Sequence, residues 1–294
     1  MGKLISIGQI IDRSWDHYSA FFKPLMKISL WALIIPVLVL LRILIVPSGE
    51  IMSLASLFNG QGDAMLVIGL ILGVLISLIA VPVLTIWIYI NLVKAVESQD
   101  KKKPTSLKAL RKYGWTNFFS YFWVAILKSV LTALPLLLLV PGMILIFTNI
   151  YYNGGSFWGA FSNLTMLIGV VAALVLLILL GIKLGFSAFE RLIAEKKGMS
   201  AVKGSYQLVT GRFWATLWRL LISKIVFGIG VALLHVIIAL IILGIEYAFF
   251  PLSETQEAAS AIFSLFLGTG VLVLSTPIFV IVDYIIYDNL LKTK

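Results

Sequence analysis

The sequence predicts an all-α polytopic membrane protein: six transmembrane helices as three repeated hairpins, each preceded by a short amphipathic cytoplasmic interfacial helix. Three observations carry this. Of 294 residues, 61% are hydrophobic and 12% charged, against about 45–50% and about 25% in soluble domains, an excess that water-facing folds do not bury. Lys and Arg are absent from 43–93, 129–182 and 225–291. A stretch mixing aromatic and basic residues occurs three times, as "RSWDHYSAFFKPLMKIS" at 13–29, "RKYGWTNFFSYFWVAIL" at 111–127 and "SYQLVTGRFWATLWRLL" at 205–221.

The first copy begins with Ser6, a suitable N-cap, and Gln9 would complete a capping box. Leu4, Ile7, Ile11, Trp15, Tyr18 and Phe22 then share one helical face. Such a segment is too short and polar to span, and suits the membrane surface. Apolar tracts near 25–46, 65–90, 122–147, 164–189, 220–245 and 261–286 follow. Each exceeds the roughly 20 residues that cross a hydrocarbon core, and in lipid only a helix pairs its own amides. Pro36, Pro82, Pro135, Pro141 and Pro277 should remove donors and kink these helices. The second copy opens on Ser106 with Leu107, Leu110 and Phe118, and the third on Ser200 with Val202, Tyr206, Val209 and Phe213.

Phe22, Phe119 and Trp214 stand 97 and 95 residues apart, and Pro82–Pro277 and Tyr89–Tyr284 are each 195 apart. This spacing suggests repeats of approximately 1–97, 98–195 and 196–294 within a single membrane domain, packed with pseudo-threefold symmetry. Recurring aromatic belts are the alternative origin of the similarity. Gly69-x-x-x-Gly73 and Gly181-x-x-x-Gly185 fit close helix contact, although coincidence among 23 glycines is the simpler reading.

Orientation follows from charge. The loops after spans one, three and five contain no Lys or Arg, whereas "VKAVESQDKKKPTSLKALRKYGW" and "ERLIAEKKGMSAVKGSYQLVTGRFW" are strongly basic. The positive-inside rule places both termini and both basic loops in the cytoplasm, in a cell membrane. The net charge of +10 is then a membrane-face property. No segment forms the patch on a folded domain that nucleic-acid binding needs. Trp15, Trp115, Arg212, Trp214, Trp218 and Arg219 are the candidate lipid-interface residues, rings at headgroup level and cations beside anionic lipid. The N-terminus reads as uncleaved, and Gly2 with Ser6 matches a myristoylation pattern of low weight.

"PLLLLVPGMILIFTNI" followed by "ERLIAEKKGMSAVKGSYQLVTGRFW" resembles a prokaryotic integral membrane family. That group includes the membrane domain of some glycerophosphodiester phosphodiesterases and the uncharacterised YciC-type inner-membrane proteins. The matching positions are Pro141, Gly142, Ala201, Ser205, Leu208, Thr210, Gly211 and Phe213. The resemblance implies a six-helix membrane protein without an assigned task. The catalytic barrel of the phosphodiesterases has no counterpart positions here.

The chain has no Cys and no GxxxxGK[ST], HExxH, GxSxG or GxGxxG. The two histidines, His17 and His235, are far apart in sequence. No catalytic residue, metal or cofactor is expected. Ionisable residues within spans say more, because charge in lipid is costly. By helical rise, Arg42 lies about 27 Å beyond Pro24 and Glu246 about 33 Å beyond Lys224, which suits an outer pair. Lys183, about 12 Å from Arg191, and Asp283, about 13 Å from Lys292, suit an inner pair, with His235 about 16 Å from Lys224 between them. Either these form a polar track, or the outer residues snorkel and the inner pair locks helices. The expectation is a non-enzymatic membrane scaffold or lipid-interacting protein, with the bilayer as partner and anionic headgroups at the cytoplasmic face. The alternative is a transporter, channel or lipid scramblase using the polar track; an enzyme acting on lipids has least support.

Overall fold

A computed structural model describes residues 4–45, 64–103, 105–151, 155–249 and 254–293; for 42–45, 64–67, 70, 156, 246–249 and 254–259 it describes backbone only. All regular structure among them is helical. Six helices are long and apolar enough to cross a membrane: Phe22–Leu41, Ile71–Asp100, Leu107–Tyr151, Phe157–Leu192, Phe213–Ile245 and Ser260–Lys292. The protein is an all-α polytopic membrane protein.

Helix α1 (Ile7–Ala20) opens with the expected capping box: Gln9 N–H donates to Ser6 Oγ at 3.3 Å and Ser6 N–H to Gln9 Oε1 at 3.2 Å. It breaks at Phe21 before α2 (Phe22–Ser29), a 3-10 turn (Leu30–Leu33) and α3 (Ile34–Ile45). The third copy breaks likewise: α10 (Met199–Val209) ends before Gly211, whose φ of +83° carries the chain round to α11 (Phe213–Phe249). Two expectations need correcting. In the second copy, α6 (Leu107–Ala133) runs for 27 residues without interruption, so no separate interfacial helix precedes that span. Gly114 stays helical there and nothing takes a turn conformation. Ser200 does not cap α10 but lies inside it; Gly198, at φ +50°, precedes the helix, and Ser200 Oγ turns back to Lys197 O at 2.6 Å.

Four of the five prolines sit where the helix changes pitch rather than at simple kinks. The 3-10 turn Leu30–Leu33 precedes Pro36, and a π-helical stretch (Leu75–Ala80) joins α4 (Ala64–Val74) to α5 (Val81–Asp100) just before Pro82. A 3-10 stretch (Leu134–Leu139) contains Pro135 and leads to Pro141 at the start of α7 (Val140–Tyr151). Shifted pairing re-satisfies carbonyls that a missing proline N–H would leave bare. Pro277 lies inside α12 (Glu254–Lys292), where Thr276 Oγ1 donates to Leu272 O at 2.7 Å.

The chain groups into two compact units, one of Met1–Ile5, Phe119–Leu220 and Ile286–Lys294, the other of Ser6–Phe118 and Leu221–Ile285. In the first, α7 packs on α8 (Ser156–Lys183) through glycines. A Cβ on Gly142 would lie 2.7 Å from Met166 Cα, and one on Gly169 would lie 2.6 Å from Leu138 O. Close backbone approach of this kind is the main route to dispersion contact between helices in lipid. Gly181, by contrast, faces open space, and a Cβ on Gly185 would meet only its own turn, so that motif is not a helix contact. Beyond α8 the chain turns through 184–186 into the short α9 (Ser187–Leu192); Phe186 of the turn and Phe189 of α9 pack on Tyr287, the latter stacked at 5.3 Å. In the second unit the buried core runs along α5 from Trp87 to Ser98.

Gly142→Ala should lower the thermal unfolding midpoint in detergent, at a cost of about 1–3 kcal/mol from overpacking against backbone. Gly181→Ala should be neutral or stabilising by about 0.5–1 kcal/mol through helix propensity. Equal midpoints for the two variants would refute the tight α7–α8 contact.

Candidate functional site

In the first unit, polar side chains from the basic loops close on protein groups. Ser205 Oγ donates to Lys183 O at 2.8 Å and accepts Phe186 N–H at 3.0 Å, pairing backbone groups freed where α8 stops. Glu190 is 1% exposed and pairs with Lys196 at 2.6 Å, while Tyr287 Oη lies 3.4 Å from its other oxygen. Gly204 makes room for the pair: a Cβ there would lie 2.5 Å from Glu190 Oε2. Arg219 donates from Nε to Ile5 O at 2.7 Å, and Ile5 N–H donates to Asn289 Oδ1 at 3.1 Å. Arg212 holds the Thr293 hydroxyl at 2.6 Å and also its carbonyl.

In the second unit the last hairpin leaves a gap between α11 and α12. One cavity of about 340 Å³ lies between Val226, Gly230 and Leu234 of α11 and Val271, Leu274 and Ile278 of α12, with Trp15 and Tyr18 of α1 at its side. Its lining is apolar apart from Ser275, the Tyr18 hydroxyl and the indole N–H, and Tyr18 Oη donates to Leu274 O at 2.9 Å. A second cavity, about 320 Å³, follows along the same two helices and is lined by His235, Ser260 and Ser264 among leucines. From Val226 to Leu243 the two cover about 25 Å of helix axis, most of a hydrocarbon core of about 30 Å. Gly228, Gly230, Gly268 and Gly270 punctuate these helices, and a Cβ on any of them would meet nothing within 4 Å. On the basic side the gap is followed by an ion pair, Lys224 Nζ to Asp283 at 2.8 Å.

The expected inner pair is therefore corrected. Asp283 takes Lys224, and Lys183 instead lies over the Tyr206 ring at 4.5 Å with its Nζ 3.3 Å from the hydroxyl. The helical ruler from Arg191 failed because α8 ends at Lys183 and the chain turns before α9. His235 does line a cavity within the gap. Arg42 and Glu246 stand in helices, but their side chains lie outside the described residues, as does Gly2. Trp15, Trp115, Trp214 and Trp218 are all more than half exposed. Arg212 and Arg219 differ from expectation: their guanidinium groups are engaged by protein oxygens. Sequence reasoning missed Lys224–Asp283, an opposite-charge pair offered by the consecutive apolar tracts 220–245 and 261–286. It also missed the paired Gly-x-Gly steps of α11 and α12.

No protein-family model matches this chain, and no curated protein or solved structure does either.

Helix α1 docks by a titratable contact: His17 Nε2 lies 3.3 Å from Gln99 Oε1. Burial holds the imidazole below its ordinary value; the Gln99 bond and Asp100 oppose this, and Arg13 adds to it. The docked state thus favours neutral His17, so docking is complete above about pH 6.5, the ordinary value, and weakens as pH falls below it. Hydrogen exchange in α1 should accelerate from pH 7.5 to pH 5.5, and His17→Gln should flatten that response. An unchanged pH response in the variant would assign the titration elsewhere.

Proposed function

We propose that this is a non-catalytic integral membrane protein that binds lipid laterally, its acyl chains lying in the gap between α11 and α12, and that serves as a membrane scaffold. The supporting observation is that gap: two cavities in succession, within the roughly 300–1,000 Å³ range of ligand clefts. Gly230 leaves space open here, where Gly142 and Gly169 bring backbones together. Lipid is as apolar as leucine, so helices gain nothing by closing over bilayer, and an unfilled void loses dispersion contacts. Acyl chains are the occupants on hand. The Lys224–Asp283 pair is proposed to lie at headgroup level, where the exposed part of Lys224 meets water and headgroups.

A second reading, passage of lipid or a small solute along the same gap, draws on His235, Ser260 and Ser264 in the second cavity. One experiment addresses both. Gly230→Phe projects a ring into open space within the first cavity. Lipid retained through purification, counted by mass spectrometry, should fall several-fold while insertion and yield hold. Undiminished lipid would reject the groove as a binding site. In reconstituted vesicles, a dithionite assay that detects lipid flipping, abolished by His235→Ala, would replace scaffold by scramblase.

The basic loops and both termini are proposed to face the cytoplasm of a prokaryotic cell. Tags at either end should then be protected from external protease in intact cells. Cleavage without permeabilisation would reverse the orientation.

A further inference from the structure

A second pocket, independent of the gap between the last spans, lies where α2, the 3-10 turn after it, α5 and α6 meet. Two polar atoms without a partner lie beneath its lining. Trp87 is 6% exposed and Asn91 1% exposed, yet among the described residues neither the Trp87 indole N–H nor Asn91 Oδ1 has a hydrogen-bond partner. Asn91 Nδ2 is satisfied, donating to Trp87 O at 2.8 Å. Trp87 is fixed between Trp31, edge-on at 5.7 Å, and Trp115 at 6.2 Å. Gly114 lies against these polar atoms: a Cβ there would come within 2.9 Å of Trp87 Nε1 and 2.8 Å of Asn91 Oδ1. Leaving such a donor and acceptor dry inside a protein is unfavourable, so something belongs there.

The walls say what. Lys27 and Arg111 both line the cavity, both are exposed, and neither has an ion-pair partner among the described residues. The Arg111 guanidinium lies 4.8 Å over the Trp31 ring, which fixes its plane while leaving its N–H edges available. Among the described residues no acidic side chain lines the cavity. Its volume of about 30 Å³ holds two or so water-sized atoms, too small for an acyl chain and adequate for oxygens reaching in from outside.

We propose that this pocket binds a phosphate ester that also carries a hydroxyl or ammonium donor. Phosphate oxygens accept from Lys27, Arg111 and the Trp87 indole N–H, and the ligand's own donor meets Asn91 Oδ1. A phosphoglycerol or phosphoethanolamine lipid headgroup has this chemistry, and so does a soluble glycerol phosphate. A choline headgroup lacks the donor. Charge-assisted bonds to phosphate are strong, and two unneutralised cations at one mouth favour an anion over water.

The test uses full-length protein in detergent, with binding followed by calorimetry. The probes are dioctanoyl phosphatidylglycerol, dioctanoyl phosphatidylcholine, sn-glycerol 3-phosphate and inorganic phosphate. Phosphatidylglycerol should bind more tightly than phosphatidylcholine. Arg111→Gln and Lys27→Gln should each weaken it about tenfold or more, and Trp87→Phe, which keeps a ring and deletes the N–H, by several-fold. Lys203→Gln, outside the pocket, should change nothing. If sn-glycerol 3-phosphate binds as tightly as the lipid and responds to the same variants, the ester is a soluble one. If no phosphate probe binds, or all three pocket variants bind as the unaltered protein does, the cavity holds water only and the proposal fails. The two cation variants are surface changes that preserve folding, so the outcome does not hang on Trp87→Phe.

Discussion

A peptide N–H or a charged side chain in hydrocarbon has no water to pair with, and every large feature of this protein answers to that. The spans are helices because a helix alone pairs its own amides. Where proline deletes an amide, the ladder shifts to 3-10 pairing around Pro135 or π pairing before Pro82. Where α8 stops at Lys183, Ser205 supplies the donor and acceptor that the broken helix lacks. Charges obey the same rule. Glu190 is buried, but Lys196 neutralises it and Tyr287 Oη lies near its other oxygen. Asp283, within the last span, is met by Lys224 from the span before it.

Glycine shows how the same solvent permits two opposite uses of one residue. Water drives apolar helices together regardless of shape, and lipid does not, so contact in lipid must come from fit. Gly142 and Gly169 provide that fit, each bringing backbone against backbone between α7 and α8. Gly228, Gly230, Gly268 and Gly270 provide none; each looks into open space along α11 and α12. Gly230 lines the first cavity, and the other three bring no neighbour against their helices among the described residues.

What was legible in the sequence follows from which signals are one-dimensional. Hydropathy and the spacing of cations depend only on position along the chain, so all six spans could be read directly. Capping at Ser6 was legible for the same reason, since Gln9 is its neighbour in sequence. Helix breaks were harder. Gly211 interrupts the third hinge while Gly114, in the matching stretch of the second, stays helical, and composition does not separate the two. Partner choice was hardest. A ruler of fixed rise assumed that α8 continues to Arg191, and one turn at 184–186 was enough to reassign Lys183 to Tyr206. Arg212 and Arg219 carry the composition of headgroup-binding residues but lie beside the uncapped carbonyls of Thr293 and Ile5, a proximity of residues distant in sequence.

The distribution of unpaired cations then separates residues that hold the fold from those left to meet the bilayer. Arg212, Arg219, Lys196 and Lys224 all have protein oxygens within reach, so their charge is largely answered internally. Among the described residues Lys27 and Arg111 do not, and the buried Trp87 Nε1 and Asn91 Oδ1 nearby are equally unanswered. Trp87 and Asn91 differ from buried hydroxyls such as Ser14 and Ser29, which also lack a partner among the described residues, in lining a cavity beside two free cations. The complement proposed for them is external, anionic and small.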